Sequence, residues 1–180
     1  VQISTIHSFC VRLLREDIHE LGYPRNFTIL DSDDQKSILK KAYKELQIDV
    51  KAYSYGAMIG YISNNKTALI TAEMAKKSAS GWSYEETRAN VYAYYEAALK
   101  DMMALDFDDL LIFTYHLLSG NEAIREKWQR RFSFLHVDEF QDVDALQYHI
   151  VKLLSGKGLL CVVGDPDQTI YTWRGAQVDI

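Results

Sequence analysis

Two short polar segments carry side chains suited to phosphate chemistry. "DEFQD" spans residues 138–142 and "GDPDQ" spans residues 164–168, and each follows a short apolar run. Consecutive Asp138 and Glu139 at a strand end suit phosphoryl transfer, because one carboxylate can hold Mg²⁺ while its neighbour polarises an attacking water. Gln168 can donate its amide to the terminal phosphate of a nucleotide and so report whether that phosphate is present. The pattern predicts a nucleotide-hydrolysing site.

A structural role for the same acids is the alternative. Asp-x-x-Asp patterns often cap helices, and a helix is predicted to start near Val143. In a parallel sheet, however, the ligand crevice lies outside the carboxyl ends of the strands, and both polar segments fall there. This coincidence favours the catalytic interpretation, since functional carboxylates concentrate in such crevices.

The chain that follows the second segment is rich in aromatic and cationic side chains. Tyr171 and Trp173 are two residues apart, so they share a face in extended chain, and Arg174 is adjacent. Two aromatic rings beside an arginine form a platform on which unpaired bases can stack. A core Tyr and Trp is the alternative, and the dense polar neighbours tilt the interpretation towards stacking.

Other polar residues are weaker candidates. His7 in "STIHSF" could touch a phosphate or sugar at a helix N-terminus, with a satisfied buried histidine as the alternative. "SGKG" at 155–158 is not a phosphate-binding loop, because it lacks the upstream glycine and the following Ser or Thr. Five lysines could contact a duplex, although a solvated helix face is the better explanation for them. They are Lys36, Lys40, Lys41, Lys44 and Lys51.

Composition limits the class of protein. The chain has 180 residues, of which 48% are hydrophobic and 25% charged, so it can bury a real core. No apolar run is long enough for a membrane helix, and two distant cysteines fit reduced thiols, which predicts a cytoplasmic protein. The net charge of −5 favours binding of nucleic acid through a local groove and base stacking over general phosphate neutralisation.

The first part of the chain is predicted to be helical. Apolar residues at helical spacing predict a helix capped by Ser4 or Thr5 and ended by Gly22. Residues 24–104 are predicted to form a helical unit with no strand of its own. Capping boxes and apolar patterns predict four helices there: from Ser32 with Gln35, from Ser83 with Glu86, over 58–62 and over 68–77.

The character of the sequence changes after Leu105. Helices are predicted over 107–118 and 122–131, followed by a strand at 132–137, a helix at 145–154 and a strand at 158–165. Strand, helix and strand with short connections form a βαβ unit. The prediction is an α/β protein whose buried parallel strands are covered by helices on both faces.

Four segments resemble motifs of the UvrD/PcrA/Rep-type superfamily 1 DNA helicases in order and approximate spacing. They are "STIHSFCVRLLR" (4–15), "LDFDDLL" (105–111), "HVDEFQD" (136–142) and "VVGDPDQTIYTWRGA" (162–176). The resemblance implies a partial RecA-like parallel sheet without its P-loop strand, and a mainly helical inserted subdomain. It assigns 1–23 and 105–180 to RecA-like domain 1A, and 24–104 to the helical 1B subdomain.

The resemblance also implies ATP and Mg²⁺ as cofactors and a role for each matching residue. Asp138 would serve the magnesium, Glu139 would be the catalytic base, and Gln168 would sense the γ-phosphate. Arg174 would link the nucleotide site to the DNA track. The residues that match DNA-contacting positions of the family are His7, Phe107, Tyr171, Trp173 and Arg174. Single-stranded and duplex DNA are the implied partners, and repair or replication proteins are further candidates.

The family's P-loop and second motor domain, with its arginine finger, have no match here. We therefore expect a fragment that does not hydrolyse ATP by itself, and a parent protein that is a DNA-dependent ATPase unwinding duplex with 3′ to 5′ polarity. A helicase-nuclease subunit of the AddA or RecB kind is one alternative. A non-catalytic nucleic-acid-binding module is another, and RNA is a weaker substrate because nothing reads a 2′-hydroxyl.

Overall fold

The structure is a computed structural model, and it describes residues 1–79, 81, 83–156 and 158–165. The chain divides into two compact units. The helical unit is Tyr23–Ile112, and the α/β unit combines Val1–Gly22 with the residues from Phe113 onward. Each unit has its own core, and helix α6 has residues in both.

The described residues form helices and short parallel strands. The helices are α1 (Ile6–Asp17), α2 (Ser32–Glu45), α3 (Tyr55–Thr67), α4 (Ala72–Ser78), α5 (Ser83–Asp101), α6 (Phe107–Gly120), α7 (Glu122–Gln129) and α8 (Ala145–Ser155). The strands are β1 (Thr28–Ile29), β2 (Ala104–Leu105), β3 (Phe134–Val137) and β4 (Leu159–Val162). The chain is thus an α/β protein of mostly helices with small parallel sheets. None of the described helices is long and apolar enough to span a membrane.

The helical unit packs α2, α3, α4 and α5 around one apolar core. Residues Leu39, Met58 and Tyr95 are among its most buried side chains. Helix α2 begins one residue earlier than predicted, because Asp31 and Asp34 form the capping box: Oδ1 of Asp31 accepts from the Asp34 amide at 2.9 Å, and Oδ2 of Asp34 accepts from the Asp31 amide at 3.1 Å. The predicted Ser32–Gln35 box was therefore wrong by one position.

The prediction that residues 24–104 contain no strand was also wrong. β1 pairs in parallel with β2, with Thr28 opposite Ala104 and Ile29 opposite Leu105. The amide of Leu30 then donates to the Leu105 carbonyl at 2.9 Å. Strands of two residues are too short to show an alternating pattern, so the sequence carries no signal for them.

The α/β unit begins with the predicted helix. The Thr5 hydroxyl caps α1 by accepting from the Ser8 amide at 3.2 Å, and Gly22 ends the helical segment in a left-handed conformation at φ 79°. Trp128 of α7 is buried and donates its indole N–H to the Asp17 carboxylate at 2.7 Å. This contact fixes α7 against the end of α1 within the unit.

β3 and β4 are parallel and in direct register, as the βαβ pattern predicted. Phe134 lies opposite Leu159, and Val137 lies opposite Val162. The expectation that both strands are buried was wrong for the described residues, since Phe134 is 73% exposed and Leu159 is 64% exposed. Two strands offer two sheet faces and two edges, and the described helices do not cover these apolar side chains.

Candidate functional site at the carboxyl ends of two strands

The two polar segments lie side by side at one end of the β3–β4 pair. The Val163 amide donates to the Val137 carbonyl at 2.9 Å, and the Phe140 amide donates to the Val163 carbonyl, also at 2.9 Å. These bonds continue the strand pairing into both loops. The structure therefore brings Asp138 and Glu139 next to the loop that begins with Gly164, as expected for parallel strands.

Asp138 and Glu139 are exposed at the point where the backbone leaves β3. Glu139 has a positive φ of 52°, in the left-handed region that costs a residue with a Cβ atom about 1–2 kcal/mol. The Asp138 carboxylate accepts from the Glu139 amide at 3.0 Å, which supports this sharp turn. Backbone in this region persists only where the surrounding structure holds it in place.

The helix-capping explanation for the two acids does not hold. α8 is capped by Asp144, whose carboxylate accepts from the Gln147 amide at 2.8 Å. Asp138 and Glu139 lie on the far side of a 3-10 turn at Phe140–Asp142 and make no cap contact with α8. Their side chains are thus left at the strand end, where a ligand can reach them.

Gln141 is a residue of this site that the sequence analysis missed. Its side chain is buried, with 8% of the residue exposed, although it belongs to the polar segment "DEFQD". Its Nε2 donates to the Glu139 carboxylate at 2.6 Å, and its Oε1 accepts from the Asp165 amide at 3.1 Å. One amide thus joins the acid after β3 to the loop after β4. A glutamine between two acids gives no sequence signal for such a bridge.

Gly164 is required by close packing against the same bridge. A Cβ atom there would lie 2.6 Å from Oε1 of Gln141 and 3.0 Å from the backbone nitrogens of Gln141 and Phe140. Backbone atoms cannot yield at that distance without distorting the turn. Glycine therefore lets the two loops approach each other, which is one of its characteristic uses.

His7 lies in the first turn of α1 and is half-buried. Burial lowers the pKa of its imidazole, and the Asp144 carboxylate opposes that shift. His7 is therefore near enough to Asp144, the cap of α8, for that charge to act on the imidazole.

Phe107 is a predicted base-stacking residue that lies within the described part of the chain. It belongs to the helical unit and is 56% exposed. It is the first residue of α6 and lies between two buried aspartates. The Asp106 amide donates to the Asp109 carboxylate at 3.1 Å, and the Asp109 amide donates to the Asp106 carboxylate at 2.9 Å. This reciprocal pair fixes the backbone on either side of Phe107.

The same two aspartates hold a buried lysine that the sequence analysis also missed. Nζ of Lys66 donates to Asp106 and to Asp109 at 2.8 Å each, and lies 3.0 Å from Glu96. Burial acts to lower the pKa of Lys66, but the three carboxylates outweigh it and hold the pKa well above its usual value. Burial raises the pKa of Asp109, with Asp106 and Glu96 adding to the effect and Lys66 opposing it.

Four predicted site residues lie outside the described residues, so nothing is assigned to their positions: Gln168, Tyr171, Trp173 and Arg174. The five candidate lysines are described and exposed, and all but Lys51, which lies in a turn, are on helix α2: Lys36, Lys40, Lys41, Lys44 and Lys51. Within "SGKG", the conformation of Gly156 is described. Gly156 adopts φ 49°, and its Cβ would lie 2.6 Å from the Gln129 side chain.

The donor set at the strand ends fits magnesium bound beside a nucleotide. Magnesium usually takes one or two protein carboxylates and completes its shell with waters and substrate phosphates. Asp138 is an exposed carboxylate of this kind. Among the described residues there is no group of three or more side chains that would form an all-protein metal cage. The site thus suits a metal that arrives with its phosphate ligand.

Comparison with known proteins identifies the family. The UvrD/REP helicase N-terminal domain matches residues 1–180. The chain is 45% identical over 179 residues to the ATP-dependent DNA helicase PcrA of Staphylococcus aureus and 46% identical to that of Staphylococcus epidermidis, with 99% of the chain covered in each case. It spans 24% of the length of these relatives. The chain belongs to the UvrD/REP helicase family.

Proposed function

We propose that this chain is part of the first motor domain of an ATP-dependent DNA helicase. In this proposal the whole protein moves 3′ to 5′ on single-stranded DNA and unwinds duplex during DNA repair or replication, in the cytoplasm. Residues 1–23 and 105–180 are the RecA-like domain 1A, and residues 24–104 are the inserted 1B subdomain. The PcrA proteins that the chain resembles are named ATP-dependent DNA helicases, which supports this assignment.

The observation that carries the proposal is the junction of the two polar loops. Asp138 and Glu139 stand exposed after β3, and the bridge through Gln141 ties Glu139 to the loop that leads towards Gln168. Nucleotide hydrolysis requires acids that hold the metal and activate water, next to a group that contacts the terminal phosphate. Here the acids would follow β3 and the phosphate-sensing loop would follow β4. A capping role cannot account for them, because Asp144 performs it.

Each side chain then has a role at the ATP site. Bound Mg²⁺ would neutralise charge on the phosphates, with Asp138 as its protein ligand. Glu139 orients the attacking water and takes its proton, and Gln168 donates to the γ-phosphate. Arg174 connects this site to the DNA track.

Aromatic side chains supply the DNA contacts in this proposal. Tyr171, Trp173 and Phe107 stack on unpaired bases, which gives sequence-tolerant binding. The exposure of Phe107 supports its part in this. His7 borders the strand. The 180-residue chain alone is expected to hydrolyse no ATP, because no phosphate-cradling loop is present in its sequence.

The proposal is tested by ATP hydrolysis in the full-length protein with and without single-stranded DNA. We expect DNA to stimulate hydrolysis strongly and duplexes with a 3′ single-stranded tail to be unwound in preference to those with a 5′ tail. Phe107→Ala should raise the DNA concentration needed for half-maximal stimulation, whereas Tyr84→Ala, at an exposed aromatic residue of the same unit, should not. Hydrolysis that is indifferent to DNA would refute the motor assignment.

A further inference from the structure

Among the described polar residues at 138–144, which follow β3, Gln141 is the one whose side chain is buried. It sits in the 3-10 turn at Phe140–Asp142, two residues after Glu139. Both ends of its amide are used, one by each loop. A buried amide whose donor and acceptor are both satisfied is held in a single orientation.

The orientation of that amide follows from its partners. The Asp165 backbone N–H can only donate, so the Gln141 atom that faces it must be the carbonyl oxygen. The NH₂ group therefore faces Glu139, at 2.6 Å from Oε2. A donor bonded to a carboxylate forms a charge-assisted hydrogen bond, stronger than one between neutral groups. One oxygen of Glu139 is thereby occupied, and the carboxylate is fixed in direction.

The packing around Gly164 holds the amide in place from the other side. The glycine backbone approaches Gln141 so closely that a Cβ atom would lie 2.6 Å from Oε1. The amide therefore has little room to rotate away from Glu139. Its position is coupled to the backbone of the loop after β4, because the Asp165 amide binds the same oxygen.

We propose that Gln141 is a positioning residue for Glu139, holding that carboxylate in the direction in which it receives a proton from water. It also makes the direction of Glu139 depend on the loop of Gly164 and Asp165, which leads towards Gln168. This inference rests on the proposed function, in which Glu139 is the catalytic base. In this role Gln141 acts through Glu139, to which it donates.

The first test uses Gln141→Met in the full-length protein. Met keeps the length of the side chain and removes both hydrogen bonds. We expect kcat for DNA-stimulated ATP hydrolysis to fall about 10–100-fold while KM for ATP stays unchanged, because a misdirected catalytic group slows the chemical step. In a Glu139→Gln background the same substitution should cause no further loss. A full additional loss there would overturn the inference.

Gln129→Met is the matched control. Gln129 is a half-buried glutamine of the same unit, and its amide donates to the Leu153 carbonyl at 2.7 Å. It lies on α7, an element separate from the loop that carries Asp138 and Glu139. Its substitution should leave kcat at the wild-type value. An equal fall of kcat in both variants would show that loss of a hydrogen-bonded amide acts through stability alone.

A second variant keeps the inference testable if Gln141→Met does not fold. Gln141→Glu retains an acceptor for the Asp165 amide and replaces the NH₂ group by a carboxyl group, which donates to Glu139 only while it is protonated. The introduced carboxyl group regains an O–H donor when it is protonated, so the ratio of variant to wild-type kcat should rise as the pH is lowered. A ratio that is independent of pH would contradict the proposed role of the donor.

The roles of Glu139 and of Gln141 can be refuted separately. If Glu139→Gln leaves kcat unchanged, the proposed catalytic base is wrong. If Glu139→Gln abolishes hydrolysis but Gln141→Met leaves kcat at the wild-type value, only the positioning role is wrong. Binding of a fluorescent ATP analogue, measured on each variant, shows whether a loss of kcat accompanies an intact nucleotide site.

Discussion

Removing the charge of Lys66 should destabilise the helical unit severely. The side chain is 2% exposed and its ammonium contacts Asp106, Asp109 and Glu96 at 2.8, 2.8 and 3.0 Å. Lys66→Met fills nearly the same volume but leaves two buried carboxylates without their cation. Breaking a buried ion pair from one side costs about 3–5 kcal/mol, so we expect the free energy of unfolding to fall by that amount.

The size of this loss should depend on pH. In Lys66→Met the two orphaned aspartates repel each other in a buried site, so their pKa values rise in the folded state. Groups whose folded pKa is raised contribute stability at low pH that is lost as the pH increases. The gap between wild type and variant should therefore widen from pH 5 to pH 8. Asp106→Asn in the variant background should recover part of the loss at neutral pH.

Native-state hydrogen exchange of the α5 amides measures this effect within the helical unit. Lys40→Met is the matched control, because Lys40 is an exposed lysine of the same unit and its substitution should stay within about 0.5 kcal/mol of wild type. If Lys66→Met lowers the free energy of unfolding no more than this control does, the buried ion cluster does not stabilise the helical unit.

Three further outcomes follow from the described contacts. Gly164→Ala should lower the free energy of unfolding by about 1–3 kcal/mol in chemical denaturation, because the added Cβ would lie 3.0 Å from backbone nitrogens. Gly60→Ala should raise the free energy of unfolding by about 0.5–1 kcal/mol, because Gly60 lies in the interior of α3 and its added Cβ would meet nothing within 4 Å. Burial raises the pKa of the Cys10 thiol to about 12, so a maleimide at pH 7 should modify the exposed Cys161 and spare Cys10 until the chain unfolds; equal labelling of the two would contradict this. Hydrogen bonds from an arginine and a lysine lower the pKa of Glu16 to about 2, so its contribution to stability should be present above about pH 4.5 and lost towards pH 2, which carboxyl NMR titration checks; a normal titration of Glu16 would rule out these bonds in solution.

The approach of the two polar loops at one end of β3 and β4 was predictable from the sequence. β3, α8 and β4 form the predicted parallel βαβ unit, because short apolar runs separated by a helical pattern leave few alternatives. In a parallel pair the carboxyl ends of both strands lie at the same edge, which predicts that Asp138 and Glu139 lie next to the loop at Gly164. Local pattern and a general topological rule were sufficient for this part.

The bridges within each unit could not be predicted in the same way. Lys66 is 40 positions from Asp106 and stands in a polar stretch of α3, which is typical of an exposed lysine. Its burial depends on how α3 packs, and no local pattern records that. Gln141 depends likewise on the register between two loops. The paired strands β1 and β2 were missed because two residues cannot show a period.

The ATPase activity of the full-length Glu139→Gln variant in the presence of single-stranded DNA tests the role of the acids after β3 most directly. We expect kcat to fall about 10²–10⁴-fold, the usual contribution of a general base, while binding of ATP and of DNA survives. Glu73→Gln, at an exposed glutamate of α4, should retain full activity. Wild-type hydrolysis by Glu139→Gln would contradict the central claim that the acids after β3 form the catalytic site.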